Sequence, residues 1–494
     1  MDEVLEFGRI VLVVAAGSSL AVLSSKFSER IPIPAPALFL LAAALASDLV
    51  PSLSEHLSTR DVERIGVVAL IVILFDGGMI VGWRRFRGSL LPIASLGVLG
   101  TFGTAAAMAV FAHYLLDFSW TTAGILGAAL APTDPAVMFS VLGNREIGGR
   151  SGTILESESG VNDPVGIALV LALIELEQVG EGTPLAAVAE FCLAMGVGIV
   201  AGVAGGAGLL FLMRRVSLPG EGLYPIRTLA AAGVIYGAAT LAHGSGFLAV
   251  FVAGLLIADE RTPFKREIER FHTSLASLAE IVVFVALGLT IDLTNLMEDL
   301  AWLDGLMLAA LLAFVARPLV AAPLLAPVRL RAQEKLFVIW GGLRGAVPIL
   351  LATFALLAGV DDAERIYDIV FVVVAFSVLV QGSSLFFVAG RLGIPMKPVE
   401  PEPWDLSIRL REEPERQLER FVVKPGAPAR GKAIRDVSLG GDVWISLIVH
   451  DGEPVQPRGS YVFQPGDEVL ILLEHGATPE LRRLFGPGRG VAEE

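Results

Sequence analysis

Apolar runs of about twenty residues recur from near the N-terminus to about residue 390, separated by short stretches bearing charges, Gly and Pro. Hydrocarbon offers a peptide group no water to bond, so such runs cross a bilayer as helices that close their own hydrogen bonds. About thirteen spans are expected, near 7–24, 33–50, 64–82, 90–115, 120–142, 153–176, 185–213, 226–242, 246–258, 273–291, 303–327, 335–358 and 366–390. The 54% share of apolar residues over 494 positions excludes a string of ordinary soluble domains. A formal charge of -14 gives no reason to expect a nucleic-acid partner; the expected partner is the lipid bilayer. Cys192, the single cysteine, excludes an internal disulfide and a thiolate-rich metal site. Met1-Asp2-Glu3 with Glu6 lacks the basic start of a cleaved signal peptide, so the first run is expected to be a retained span.

The connections alternate in charge. Lys26/Arg30, Arg84/Arg85/Arg87, Arg145/Arg150, Arg214/Arg215/Arg227, Arg261/Lys265/Arg266/Arg270 and Arg329/Arg331/Lys335 follow odd-numbered spans, and acids such as Glu175, Glu177, Asp292, Asp361 and Asp362 follow even ones. Positive charge marks the cytoplasmic side, which puts the N-terminus outside and the C-terminus inside a cell (inner) membrane. With about 1.5 Å of rise per residue, Asp76, Asp134, Asp163, Glu280, Arg317 and Arg344 then lie on the order of 10–15 Å from the cytoplasmic ends of their spans. Six ionisable groups from six spans thus share one layer, which points to one polar site.

Two stretches break the helical pattern inside that layer. Pro132 and Pro135 flank Thr133-Asp134 in span 5, leaving the carbonyls of Ala128 and Ala131 without helical donors. Gly341-Gly342-Leu343-Arg344-Gly345-Ala346-Val347-Pro348 interrupts span 12. Spans 5 and 12 are seven apart, as expected of two repeats of opposite orientation whose interrupted helices meet at the bilayer midplane. On span 6, in Glu156-Ser157-Glu158-Ser159-Gly160-Val161-Asn162-Asp163-Pro164, Ser159 and Asp163 share one helix face, and Glu158 and Asn162 share the next. We expect Ser159 and Asp163 to turn to an ion path with Asp134 and the backbone oxygen of Thr133, a set of hard oxygen ligands for a small cation. Glu158 and Asn162 are expected to turn to Arg344, a buried guanidinium in need of a counter-charge. One carboxylate that holds either a proton or a cation, never both, suffices for exchange.

These residues carry a resemblance. Phe75-Asp76-Gly77-Gly78, Thr133-Asp134-Pro135, Glu158 to Pro164 and Gly342-Leu343-Arg344-Gly345, in this order, resemble the monovalent cation:proton antiporters of NhaP type, over roughly spans 1–13. The resemblance implies an all-α polytopic membrane protein with two inverted repeats and crossed discontinuous helices. It implies an antiporter, not an enzyme, moving K⁺ or Na⁺ against H⁺ with no resident cofactor and contributing to cation and pH homeostasis. Asp163 would be the transport carboxylate; Asp134, Thr133, Ser159 and Asp76 would complete the ion site; Glu158, Asn162 and Arg344 would hold the unwound helices together. Asp76 stands where relatives often carry Glu. Asn162, in place of a second acid before Asp163, goes in this family with electroneutral one-for-one exchange.

Beyond about Gly393 the hydropathy collapses, which sets the expected domains at 1–393 for the membrane part, 394–407 for a Pro- and Glu-rich linker and 408–488 for a small cytoplasmic α+β domain. Strands are expected at Phe421–Lys424, Val443–His450 and Asp467–Leu473, with helices near Gly431–Val437 and at Pro479–Phe485. Gly431-Lys432-Ala433-Ile434-Arg435-Asp436, His450-Asp451-Gly452 and Pro465-Gly466-Asp467-Glu468-Val469-Leu470 resemble the RCK_C (TrkA-C) domain. That resemblance implies a homodimer and a regulatory nucleotide; with no Gly-rich dinucleotide loop before it, it does not imply NAD. Glu280 and Arg317, at equal depth, are expected to pair. Gly198, Gly202 and Gly206 form a ridge for close helix contact, either within the bundle or between subunits. His113 and His243 have no neighbouring ligand types. A cation channel gated by the C-terminal domain is the competing class, disfavoured by the lack of a filter-like run of carbonyls. An intramembrane aspartyl protease would need a Gly-x-Gly-Asp signature that is missing.

Overall fold

The computed structural model describes residues 34–49, 58–134, 138, 145–147, 150–179, 184–260, 262–298, 300–398, 417–437, 439, 443–450, 453–473 and 479–486. They belong to two compact units, Met1–Pro398 and Val399–Glu494.

The first unit is helical: α1 (Ala35–Leu49), α2 (Thr59–Val81), α3 (Trp83–Gly88), α4 (Leu90–Leu116), α5 (Trp120–Leu130), α6 (Arg150–Val179), α7 (Pro184–Arg215), α8 (Leu223–Leu241), α9 (Gly246–Ala258), α10 (Lys265–Leu289), α11 (Ala301–Leu325), α12 (Ala332–Trp340), α13 (Ala346–Ala358) and α14 (Ala363–Leu392). Among the described residues seven helices, α2, α4, α6, α7, α10, α11 and α14, are long and apolar enough to cross a bilayer, and shorter apolar helices fill in between them. Expected spans 2–4 and 6–11 and span 13 each fall on one of these helices and span 12 on the pair α12 and α13; span 5 begins on α5 and its remainder past residue 134, like span 1, lies outside the described residues, Met138 excepted.

Local chemistry sets the ends. Ser58, Ser119 and Ser245 accept from the N–H groups of Asp61, Thr122 and Leu248, capping α2, α5 and α9. Gly359 and Gly393, in the left-handed region at φ 68° and 63°, close α13 and α14. Besides the unwound stretches after α5 and between α12 and α13, π-helical turns interrupt α4 at Ser95–Gly100, α11 at Leu312–Ala316 and α14 at Ser377–Gly382. The breaks fall in spans 5 and 12 and two of the π turns in spans 4 and 11; both pairs are seven spans apart, as two related halves require, while the π turn of span 13 has no counterpart in span 6.

Helix α9, only thirteen residues long, is clasped between two others. A Cβ on Gly254 would come within 2.4 Å of the Phe75 carbonyl on α2, and one on Gly78 within 2.4 Å of the Phe251 carbonyl on α9. On its other side the α7 ridge makes the same approach, a Cβ on Gly198 meeting the Ser245 oxygen at 2.7 Å and one on Gly202 the Ala249 oxygen at 2.6 Å. The ridge therefore packs within the bundle, which decides between the two partners left open above.

The start of the expected linker is structured. Met396–Pro398 (β2) pairs antiparallel with Arg145–Ile147 (β1), the segment leading into α6.

The second unit is a four-stranded antiparallel sheet in the order β3-β6-β4-β5, from β3 (Gln417–Val422), β4 (Val443–His450), β5 (Glu453–Val455) and β6 (Glu468–Leu473), with α15 at Pro479–Phe485. Alternate residues of β6, Val469, Ile471 and Leu473, are buried with Ile448, Phe463 and Phe485. The strand expected at Phe421–Lys424 begins earlier, at Gln417, because β6 offers partners that far. The helix expected near Gly431–Val437 is one 3₁₀ turn, Ile434–Asp436. β5 went unexpected because Pro454 argues against a strand except at a sheet edge, where it stands.

The clasp around α9 has a direct test. Gly202→Val should lower the thermal stability of the purified protein by about 1–3 kcal/mol through overpacking, whereas Gly208→Val, on the same helix with nothing within 4 Å, should change it little. Equal losses at the two positions would contradict the clasp.

Candidate functional site

Pro132 has no N–H and ends α5 at Leu130, after which residues 131–134 run in an unwound path. Residues 341–345 likewise leave the helix between α12 and α13. The two unwound stretches satisfy each other: the Asp134 N–H donates to the Leu343 carbonyl at 2.8 Å, and Arg344 Nε donates to the Leu130 carbonyl at 3.0 Å. Arg344 also donates from Nη1 to the Gly342 carbonyl and from its backbone N–H to Ser377 Oγ of α14 at 2.8 Å. Of the two carbonyls expected to be free, that of Ala128 accepts from the Ala131 N–H at 3.4 Å; the carbonyl that Arg344 captures is Leu130's. Pro135 lies outside the described residues.

Helix α6 presents the two expected surfaces, one with a different partner. Ser159 and Asp163 line a cavity of about 80 Å³, together with Asp134, Gly160 and Glu280. Its walls are apolar, formed by Leu70, Leu74, Phe251, Val283, Val347 and Leu350. Asp163 is 5% exposed, and its Oδ1 has no hydrogen-bond partner. On the second surface Glu158 meets Arg317 of α11, not Arg344, in a two-pronged ion pair with Nη1–Oε1 at 2.5 Å and Nη2–Oε2 at 2.9 Å. Both side chains are almost fully buried, at 1% and 4% exposure. Asn162 also turns elsewhere than expected: its Nδ2 donates to Thr133 Oγ1 at 2.7 Å, and that hydroxyl lies 3.2 Å from Ser159 Oγ. The expected Glu280–Arg317 pair does not form, because Arg317 is committed to Glu158 and Glu280 faces the cavity.

The glycines around Arg344 have a steric reason. A Cβ on Gly342 would sit 2.6 Å from Arg317 Nε, and one on Gly345 would lie 1.8 Å from Asp134 Oδ2. Bare backbone lets the Arg317 guanidinium and the Asp134 carboxylate lie against the unwound stretch. Asp134 is thereby held at the N-terminal end of α13, where the helix dipole favours negative charge.

The structure thus brings Asp163, Asp134 and Ser159 into one cavity and leaves Thr133 and Asp76 off its lining. Thr133 acts through its hydroxyl as the tie between the unwound stretch and α6. Asp76 is buried on α2 and accepts from Thr273 Oγ1 of α10 at 3.1 Å. Two contributors went unforeseen. Glu280, expected in the polar layer but as the partner of Arg317, lines the cavity instead. Gly160 carries a carbonyl that Pro164, four residues on, cannot bond, a signal present in the spacing alone.

A membrane bundle in which two broken helices cross beside a buried carboxylate is the architecture of a secondary transporter. Residues 16–390 match the family model described as sodium/hydrogen exchanger, transmembrane, and residues 418–486 match the TrkA-C domain. The chain belongs to the sodium/hydrogen exchanger family. It is 33% identical over 477 residues to the K(+)/H(+) antiporter NhaP of Alkalimonas amylolytica, covering 95% of this chain and 82% of that one. It is 32% identical over 481 residues to the K(+)/H(+) antiporter NhaP2 of Shewanella oneidensis, covering 96% and 83%. The Na(+)/H(+) antiporter ApNhaP of Aphanothece halophytica is 26% identical over 443 residues, covering 87% and 82%. In fold the chain resembles the sodium proton antiporter MjNhaP1 of Methanocaldococcus jannaschii, with a TM-score of 0.66 and 23% identity, over 78% of this chain and all of that one. The protein is accordingly a multi-pass membrane transporter with a C-terminal TrkA-C domain, and not an enzyme.

The Glu158–Arg317 pair yields a prediction. Arg317→Ala strands a buried carboxylate and should cost about 3–5 kcal/mol of stability. The double substitution Glu158→Gln with Arg317→Met should cost less than Arg317→Ala alone, as read by thermal unfolding of the detergent-purified protein; a larger loss in the double variant would contradict the pairing.

Proposed function

We propose that the protein exchanges K⁺ or Na⁺ for H⁺, one for one, at Asp163. The observation that carries this reading is a buried carboxylate with an unpartnered oxygen, opening on a cavity beside two crossed unwound segments. Protonation removes the charge that holds the cation, and the cation displaces the proton, so each ligand excludes the other. If the site reorients only when loaded, net exchange follows, and no resident cofactor is needed. Asp134 and Ser159, with the Gly160 carbonyl, supply further oxygens. Thr133, Asn162 and Arg344 position them through the hydroxyl tie and the Leu130 contact, while Glu158 and Arg317 brace α6 against α11.

Asn162 supports the electroneutral reading: it stands where a second acid could carry a second proton, and its amide is committed to Thr133. K⁺ is favoured by the two relatives named K(+)/H(+) antiporters, which are 33% and 32% identical, against 26% for the one named for Na⁺. Those names also favour an antiporter over a channel. We infer further that the chain works as a homodimer in the cell (inner) membrane, with the N-terminus outside. The TrkA-C unit would then be cytoplasmic, binding a regulatory nucleotide and tying exchange to cation and pH homeostasis. Clustered arginines such as Arg84, Arg85 and Arg87 support the orientation.

Inverted membrane vesicles holding the wild-type protein should dissipate an imposed pH gradient when K⁺ or Na⁺ is added, without current. Asp163→Asn should reduce this exchange to background while the protein still purifies as a folded species. Exchange retained by Asp163→Asn would remove the proposed mechanism.

A further inference from the structure

Glu280 is the ionisable group in the cavity that the exchange scheme leaves without a role. It comes from α10, a different helix from those that carry Asp163 and Asp134, and lines the same cavity as both. The basic side chains of this layer are engaged elsewhere: Arg317 grips Glu158 with two nitrogens, and Arg344 donates to the carbonyls of Leu130 and Gly342. Among the described residues Glu280 makes no ion pair, and its Oε1, shielded from solvent, accepts no hydrogen bond. The other ionisable groups lining the cavity with it, Asp134 and Asp163, are carboxylates of the same sign. A structural acid at membrane depth is held by a cation or by donors, and Glu280 has neither at Oε1.

A second buried oxygen at the same cavity is in the same condition. Asp163 Oδ1 is unpartnered, and its side chain is more than nine-tenths buried. Two carboxylates from two helices thus present unbonded oxygens to one small cavity walled by leucine, valine and phenylalanine. Hard oxygen donors of this kind, in a space with room for a few water molecules, suit an alkali cation.

We propose that Glu280 is a further ligand of the transported cation, facing Asp163 across the cavity, and that it sets the preference between small and large alkali ions. The assignment rests on the exchange reading for the identity of the ion as cargo. The preference follows from field strength: a second charged oxygen close to the ion offsets dehydration better for the smaller Na⁺ than for K⁺. Removing that charge while keeping the shape weakens both ions, and Na⁺ more.

Glu280→Gln is the nearly isosteric test, measured in vesicles at fixed pH with Na⁺ and K⁺ titrated separately. The apparent KM for Na⁺ should rise roughly tenfold or more and that for K⁺ by a smaller factor, shifting the preference toward K⁺. Glu280→Asp, which keeps the charge on a shorter arm, should fall between the two. Unchanged KM values, or equal rises for both ions, would overturn the assignment.

A second measurement does not require transport. Na⁺ and K⁺ should raise the melting temperature of the purified wild-type protein in a concentration-dependent manner, and Glu280→Gln or, should that variant not fold, Glu280→Asp should need higher cation concentrations for the same shift. A wild-type-like dose dependence would overturn the ligand role whatever the vesicles show. Failure of the wild-type protein to exchange would count instead against the antiporter reading.

Discussion

Backbone that leaves the helix inside hydrocarbon must find its hydrogen bonds within the protein, and the organisation of this bundle answers that demand. The stretch after α5 and the stretch between α12 and α13 meet, one lending an N–H to Leu343, the other an arginine side chain to Leu130. The result is a crossing at which the C-terminal end of α5 and the N-terminal end of α13 come together. Helix α6 is tied to this crossing through the Thr133 hydroxyl, and the tie sets the angle at which Ser159 and Asp163 face the cavity.

Charge in the same layer sorts into two compartments. The Glu158–Arg317 pair is bidentate and buried and carries no net charge, so it braces α6 against α11 without attracting an ion. The cavity, by contrast, holds carboxylates and no guanidinium among its lining residues. Separation of the two depends on Gly342, across which Arg317 reaches Glu158. A Cβ at that position would lie 2.6 Å from Arg317 Nε, so a side chain there would force the guanidinium that grips Glu158 to shift.

Around the site, glycine contacts hold helices at backbone distance. The short helix α9 supplies Phe251 to the cavity wall and is gripped by α2 on one side and α7 on the other. Dispersion between close backbones is the natural cement here, because lipid gives apolar side chains little reason to leave it. Polar residues appear where helices break, and small ones where helices meet.

Much of this was legible in the chain itself. Hydropathy located the spans, Pro132 and the run from Gly341 to Gly345 located the breaks, and four-residue spacing on α6 put Ser159 beside Asp163 on the cavity face. These are local properties: solvent, helical period and proline chemistry determine them one segment at a time. Pairing across the bundle is different in kind. Depth along the bilayer placed Glu280, Arg317 and Arg344 in one layer and helical register put Glu158 next to Ser159, but neither could say which met which, since helices at equal depth may be ordered in many ways around one another. Only the tertiary arrangement gave Arg317 to Glu158, gave Arg344 to a carbonyl, left Glu280 facing the cavity beside Asp163, and turned the α7 glycines inward onto α9.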